Sequence, residues 1–141
     1  MASFVYDSAR EKFLKGELSW TNDDIRVALL KTFTQNGQQV KYIADEGDQS
    51  LQDLPISNLV TTSGILYNKT TTAGIAGADR VVFNGIPSGT EITSVVLYKN
   101  AITSLQSYLI AHLDTQLITN STQEVTIQWN VVNGIPWIFR I

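Results

Sequence analysis

From Ile56 onward the chain is a succession of short apolar segments broken by turn residues, at intervals too short to hold a crossover helix. No other feature constrains the fold as strongly. Parallel strands need connections of about a dozen residues or more, so strands this close together must pair antiparallel, in a sandwich or a barrel. The predicted strands are 56–61, 64–67, 80–84, 91–98, 107–113, 124–129 and 137–141. Ser63-Gly64, 74–79, Gly85-Ile86-Pro87-Ser88-Gly89, Asn120-Ser121 and Asn133-Gly134 punctuate them with turn chemistry. Alternation sets the faces. Val125, Ile127 and Trp129 oppose Thr126 and Gln128, and Trp137, Phe139 and Ile141 oppose Ile138 and Arg140, which predicts Trp129 and Trp137 in the core.

The N-terminal part has a different grammar. Residues 3–15 predict a helix with Ser3 as its cap, Asp7 early, Lys12 and Lys15 late, and Gly16 as its stop. Tyr6, Ala9 and Phe13, flanked by Val5 and Leu14, form its apolar stripe. Ile25-Arg26-Val27-Ala28-Leu29-Leu30 reads as a buried strand, and Asn36-Gly37 as a tight turn. Val40-Lys41-Tyr42-Ile43-Ala44 fits a short helix or a strand, and the acidic loop Asp45-Glu46-Gly47-Asp48 follows it. The expectation is one domain over 1–141, mainly β. It is an antiparallel β-sandwich or barrel of about seven to eight strands with one N-terminal helix, the strands running from 24 to 141.

The apolar fraction of 43% in 141 residues supports a real core without staples, and the chain has no cysteine to form disulfides or thiolate metal sites. Charged residues make up only 16%, against roughly 25% in ordinary soluble domains, so Thr, Ser, Asn and Gln must cover much of the surface. Net charge is −3 with no run of Lys or Arg, which argues against nucleic-acid binding, since clustered cations are needed to displace counterions from phosphates. No stretch approaches the 18 or so apolar residues of a membrane span, and no basic segment precedes an apolar run at the N-terminus. These features predict synthesis in the cytoplasm without a signal peptide and without membrane insertion.

A search for chemistry finds little. His112 is the only histidine and predicts an outward or half-buried strand position. Asp45, Glu46, Asp48 and Asp53 crowd one loop, but their spacing is not that of a calcium loop, so a solvated acidic loop is expected. Gly74-Ile75-Ala76-Gly77-Ala78-Asp79 precedes a strand rather than a helix and predicts a flexible connection, not a phosphate cradle. Trp20 lies between the helix and the first long strand and reads as a plug over one end of the sandwich. No converging set of titratable groups suggests a catalytic pocket, so the chain is read as a non-enzyme that needs no cofactor or metal.

Phe4-Val5-Tyr6-Asp7-Ser8-Ala9-Arg10-Glu11 with Lys15-Gly16-Glu17-Leu18, then Asp24-Ile25-Arg26-Val27-Ala28-Leu29-Leu30, resembles the opening of a family of small bacteriophage virion structural proteins. Gly77-Ala78-Asp79-Arg80-Val81-Val82-Phe83, Val96-Leu97-Tyr98-Lys99-Asn100, Leu109-Ile110-Ala111-His112-Leu113-Asp114, Val125-Thr126-Ile127-Gln128-Trp129-Asn130 and Trp137-Ile138-Phe139-Arg140-Ile141 are similar to later strands of that family, in the same order. Arg80 and His112 depart from its pattern, which has an aspartate and an aromatic there. The resemblance carries over no catalytic residue. It implies a capsid decoration (cement) protein on the virion surface, with the major capsid protein as partner and self-association, most simply as a trimer. A neck- or tail-associated component and a host-binding β-sandwich module are the alternatives. Partner-specific contacts favour loops on a rigid scaffold, so the expected contact residues are Trp20, Tyr42, Asp45, Glu46, Asp48 and Asp53.

Overall fold

The computed structural model describes residues 3–119 and 121–140. The expectations for Asn120 and Ile141 lie outside them. The chain is mainly β, with one α-helix near the N-terminus and thirteen strands among the described residues, all paired antiparallel. The centre is a five-stranded sheet of β1 (Phe4–Val5), β9 (Leu109–Ile118), β8 (Glu91–Lys99), β2 (Ile25–Lys31) and β5 (Leu59–Ile65), in that spatial order. Four two-stranded ladders complete the fold. They join β3 (Phe33–Gln35) to β4 (Gln38–Val40), β7 (Val81–Phe83) to β10 (Val125–Ile127), β6 (Ile75–Ala76) to β13 (Phe139–Arg140), and β11 (Asn130–Val132) to β12 (Ile135–Trp137).

Two faces follow from the register. Val27, Leu97 and Ala111 lie opposite one another across β2, β8 and β9, as do Leu29, Val95 and Leu113. On this face Val95 and Leu113 look across a groove at Ile127, Trp129 and Ile138, so the short ladders form a second layer over it. The other face carries Ala28, Val96 and His112 in one row and Leu30, Ser94 and Asp114 in the next. Segment 41–48 covers part of it, with Tyr42 and Ala44 beside His112 and Ser94. Both faces of the central strands are therefore buried, and Ile25, Val27, Ala28, Leu29, Leu30, Leu97 and Ile110 exclude solvent almost completely.

The helix, α1, is shorter than its sequence pattern. It spans Asp7–Leu14 and packs on β9, while Phe4 and Val5 pair in register with His112 and Ala111 as β1. Ser3 does not cap the helix. Its hydroxyl accepts a hydrogen bond from the backbone N–H of Asp114, and the residue at the cap position is Tyr6, in extended conformation. An open strand edge on β9 outcompetes one extra helical turn because Phe4 and Val5 pair with it and Val5 is buried there. Tyr6 and Ala9 are buried and Phe13 packs against the core as the stripe predicts, but Leu14 is 88% exposed. The stop at Gly16 is observed, with φ at +76°.

Three other expectations need correction. Residues 59–65 form one strand through Ser63-Gly64, where a turn was expected. Irregular registers against β2 absorb the change of direction, and Gly64 lets the backbone pass close to Phe83 and Val81. The stretch 74–79 is not a flexible loop. Ile75, Ala76 and Ala78 are buried, β6 pairs with β13, and Gly77 exchanges two backbone hydrogen bonds with Thr70, at 2.8 and 3.0 Å. Small side chains there permit close approach of backbones. Finally, 137–141 does not run as one strand. Trp137 ends β12, half-exposed, and Phe139 begins β13, so Ile138 and Phe139 are both buried despite opposite parity.

Candidate functional site

One end of the central sheet carries the β3–β4 hairpin. Asn36 and Gly37 both take positive φ, 51° and 77°, the backbone of a two-residue hairpin turn whose twist matches its strands. Thr34, Gln35, Gln38 and Gln39 are exposed, and between Lys31 and Lys41 the chain has no charged residue. A Gln39 side-chain N–H donates to the Thr34 hydroxyl across the pair at 3.0 Å. The base is pinned by buried Asn58, whose side-chain amide donates to the carbonyls of Lys31 (2.7 Å) and Val40 (3.3 Å). Two large aliphatic side chains flank these segments, Ile43 at 79% exposure and Ile56 at 86%.

After β4 the chain turns across the sheet as a strap, segment 41–48. The expected choice between helix and strand for 40–44 resolves as neither beyond Val40, because Tyr42 and Ala44 face inward while Lys41 and Ile43 face solvent without any ladder partner. The Tyr42 ring lies 5.9 Å from the His112 ring, and its hydroxyl is 3.4 Å from that of Tyr6. Burial first, with the charges of Asp48 and Asp45 behind it, pushes the Tyr42 hydroxyl pKa up, and either tyrosine can be the donor in the Tyr6–Tyr42 pair. Backbone contacts complete the attachment. Glu46 accepts from the N–H of Asp7 at 3.2 Å, and the Ser8 hydroxyl reaches the carbonyl of Asp48 at 3.5 Å.

The expected contact residues thus divide. Tyr42, Asp45, Glu46 and Asp48 share the strap, and Asp53 lies near enough to Asp48 to act on its charge. Burial first, then the repulsion of Asp45 and Asp53, holds the Asp48 carboxyl above the usual range. Asp45 and Asp53 mostly serve the local backbone. Asp45 accepts from the N–H of Gly47 at 2.8 Å, and Asp53 from those of Gln49 and Ser50 at 2.9 and 3.1 Å. Trp20 does not belong to this surface. It is only 6% exposed, its ring meets Phe139 edge-on at 5.2 Å, and its indole N–H donates to the carbonyl of Gly77. A plug is what the sequence predicts, and as a plug it offers no face to a partner.

His112 is the main residue that sequence reading misplaced. It is 1% exposed, stacked on Phe4 at 5.1 Å, with Nε2 hydrogen-bonded to the buried Ser94 hydroxyl at 3.0 Å and Nδ1 without a partner. Burial pushes its pKa down, against the opposing pull of Asp114. A cavity of about 390 Å³ opens beside it, lined in part by Lys41, Tyr42, Glu91, Ser94 and Asp114. A serine bonded to a histidine is the beginning of a nucleophilic pair, but such a pair needs the second ring nitrogen held by an acceptor and the hydroxyl open to substrate. Here neither condition is met, so the bond ties β8 to β9. Other hollows exist as well. One, of about 600 Å³, separates β9 from the β10–β12 segment, and one of about 270 Å³ lies beside Trp20 and Phe13. Among the described residues no group of three or more His, Asp or Glu side chains is placed to hold a metal ion, and no helix is long and apolar enough to cross a membrane. No protein-family model, curated protein or solved structure matches the chain.

Proposed function

We propose that this chain is a structural protein of a bacteriophage virion, a decoration subunit that binds the outer face of the capsid shell and holds neighbouring capsid subunits together. The observation that carries this reading is the uncharged exposed hairpin at one end of a rigid sheet, flanked by Ile43 and Ile56. Such a surface binds by packed neutral contacts rather than by ion pairs. Asn58 ties the hairpin base to the body and the Ser94–His112 bond ties β8 to β9, so the body acts as scaffold. The partner is the major capsid protein, and copies of the chain meet one another around a local symmetry axis, as trimers. Many weak contacts repeated around a closed shell then add up to strong attachment.

Quantifying the chain in purified virions of the phage that encodes it tests the reading. Copies in proportion to capsomers support a shell protein. A single ring of copies supports the neck or tail alternative, and a handful at the tail tip a host-binding module. A paired substitution tests the surface. Gln35 and Gln38 face each other in the hairpin, so Gln35→Lys with Gln38→Glu keeps the pair compatible while charging a neutral patch. Shell occupancy should fall while the circular dichroism spectrum stays unchanged. Full occupancy would place the contact elsewhere.

A further inference from the structure

The strap is held against the sheet by one aromatic residue and a few polar bonds, and the group beneath that residue can take a proton. Neutral His112 suits its surroundings, with Nε2 engaged by Ser94, the ring stacked on Phe4 and Tyr42 resting over it. The imidazolium does not suit them. Its Nδ1–H would have no acceptor, and its charge would sit beneath Tyr42 with almost no solvent contact. The adjacent cavity, lined by Lys41, Tyr42 and Ala44 of the strap as well as by His112, supplies the route by which water reaches the ring once Tyr42 lifts. The sheet does not need the strap in order to stay paired, since β8 and β9 remain joined by their own ladder.

We propose that segment 41–48 is an acid-released strap, latched by neutral His112 beneath Tyr42 and freed as a unit when His112 takes up a proton. The charged and titratable groups around the ring come from each neighbouring element. They are Asp114 on β9, Glu91 on β8, Tyr6 beside Phe4 at the start of α1, and Lys41 and Tyr42 on the strap, with Asp45 and Asp48 acting through Tyr42. Asp114 favours the proton, whereas burial, the larger effect, opposes it. The sign is fixed by the lowered His112 pKa. Closure is complete above the free-imidazole value of about 6.5 and weakens as pH falls below it. Asp48 has the opposite sign, because its raised pKa favours the closed strap in acid. The inference does not depend on what the surface binds.

Amide hydrogen exchange on the full chain at pH 7.0 and 5.5, corrected for the intrinsic pH dependence of exchange, tests it. Opening of 41–48 should increase by up to about eightfold, the ratio set by protonating an exposed imidazole of pKa about 6.5 while the closed form stays neutral. Amides of β2 and β8 should not change. His112→Gln should abolish the response and Asp48→Asn should retain it. If the glutamine variant fails to fold, the proton resonances of His112, the only histidine in the chain, serve instead. They should titrate below 6.5 together with those of the Tyr42 ring. The proposal falls if strap and sheet lose protection together, if the strap is indifferent to pH, or if His112→Gln keeps the full response.

Discussion

Gly77→Ala separates a packed strand from a flexible connection in the segment 74–79. A Cβ built on Gly77 would lie 2.3 Å from the backbone carbonyl oxygen of Pro136 and 2.6 Å from the Thr70 hydroxyl. Ordinary contact begins near 3.4 Å, so one backbone must retreat by about 1 Å, and a carbonyl cannot rotate away as a side chain can. That movement strains the two Thr70–Gly77 bonds, the Trp20 bond to the Gly77 carbonyl and the bond from the N–H of Ile138 to Ala76. Overpacking costs about 1–3 kcal/mol and each net hydrogen bond about 1 kcal/mol, so a loss of about 3 kcal/mol is expected. At this chain length that lowers Tm by about 12 °C. Two comparators calibrate the result in urea unfolding followed by tryptophan fluorescence. Gly64→Ala meets the Phe83 ring and a Val81 methyl, which can shift, and should cost less. Gly47→Ala meets only the exposed Asp45 side chain, at 3.3 Å, and should stay within about 0.5 kcal/mol of the parent. If Gly77→Ala loses no more than Gly47→Ala, the packing of β6 beneath Pro136 is refuted.

Trp129→Phe removes the indole N–H that donates to the carbonyl of Asp79 at 2.9 Å and leaves a partly filled site between the layers. A loss of about 1–3 kcal/mol in urea unfolding is expected, with native circular dichroism retained. The Asp24 carboxyl is held below the usual range mainly by its hydrogen bonds from Arg26, and further by Asn100. Its stabilisation is therefore present above an unfolded pKa of about 4 and lost as pH falls further, so Asp24→Asn should flatten the acid limb of a stability profile slightly, the group being largely exposed. Thermal unfolding with and without a chelator should coincide, and a downward shift of several degrees on chelation would contradict the reading of 45–53 as a loop that needs no metal.

The β character and the turn at Asn36-Gly37 were legible because their signals are local, whereas the short strands on either side of that turn were not. Alternation in 125–129, the apolar run of 25–30 and Asn36-Gly37 each dictate backbone conformation whatever surrounds them. Failures arose where a distant partner decided the outcome. Phe4 and Val5 fit a helical stripe and a strand equally well, and the edge of β9 settled the matter. In 74–79, glycine and alanine mark loops in most sequences, but here their small size lets β6 and Gly77 run between Thr70, Pro136 and β13.

His112 was illegible for a related reason. Alternation reports which face is wet only when one face is wet, and β9 is buried on both sides from Leu109 to His112. What buries the second face is the strap, a segment without period or ladder, so nothing in 41–48 announces that Tyr42 will lie across a histidine seventy residues away in the chain. The sequence did carry one usable signal. A histidine among Leu109-Ile110-Ala111 and Leu113 on a long strand needs a polar partner if it is buried, and Thr93-Ser94 on the neighbouring strand offers hydroxyls just before the apolar run 95–98. The residue opposite His112 is Val96, and Ser94 reaches the ring diagonally, so the signal predicts a polar partner on β8 without fixing which positions meet. The acidic loop is solvated as the sequence predicts, with Asp45, Glu46 and Asp53 exposed, but two of its carboxylates also bind the local backbone. Asp45 and Asp53 close turns and Asp48 lies half-buried on the strap, so the residues most conspicuous by charge shape the strap, while the uncharged hairpin and Ile43 stay exposed.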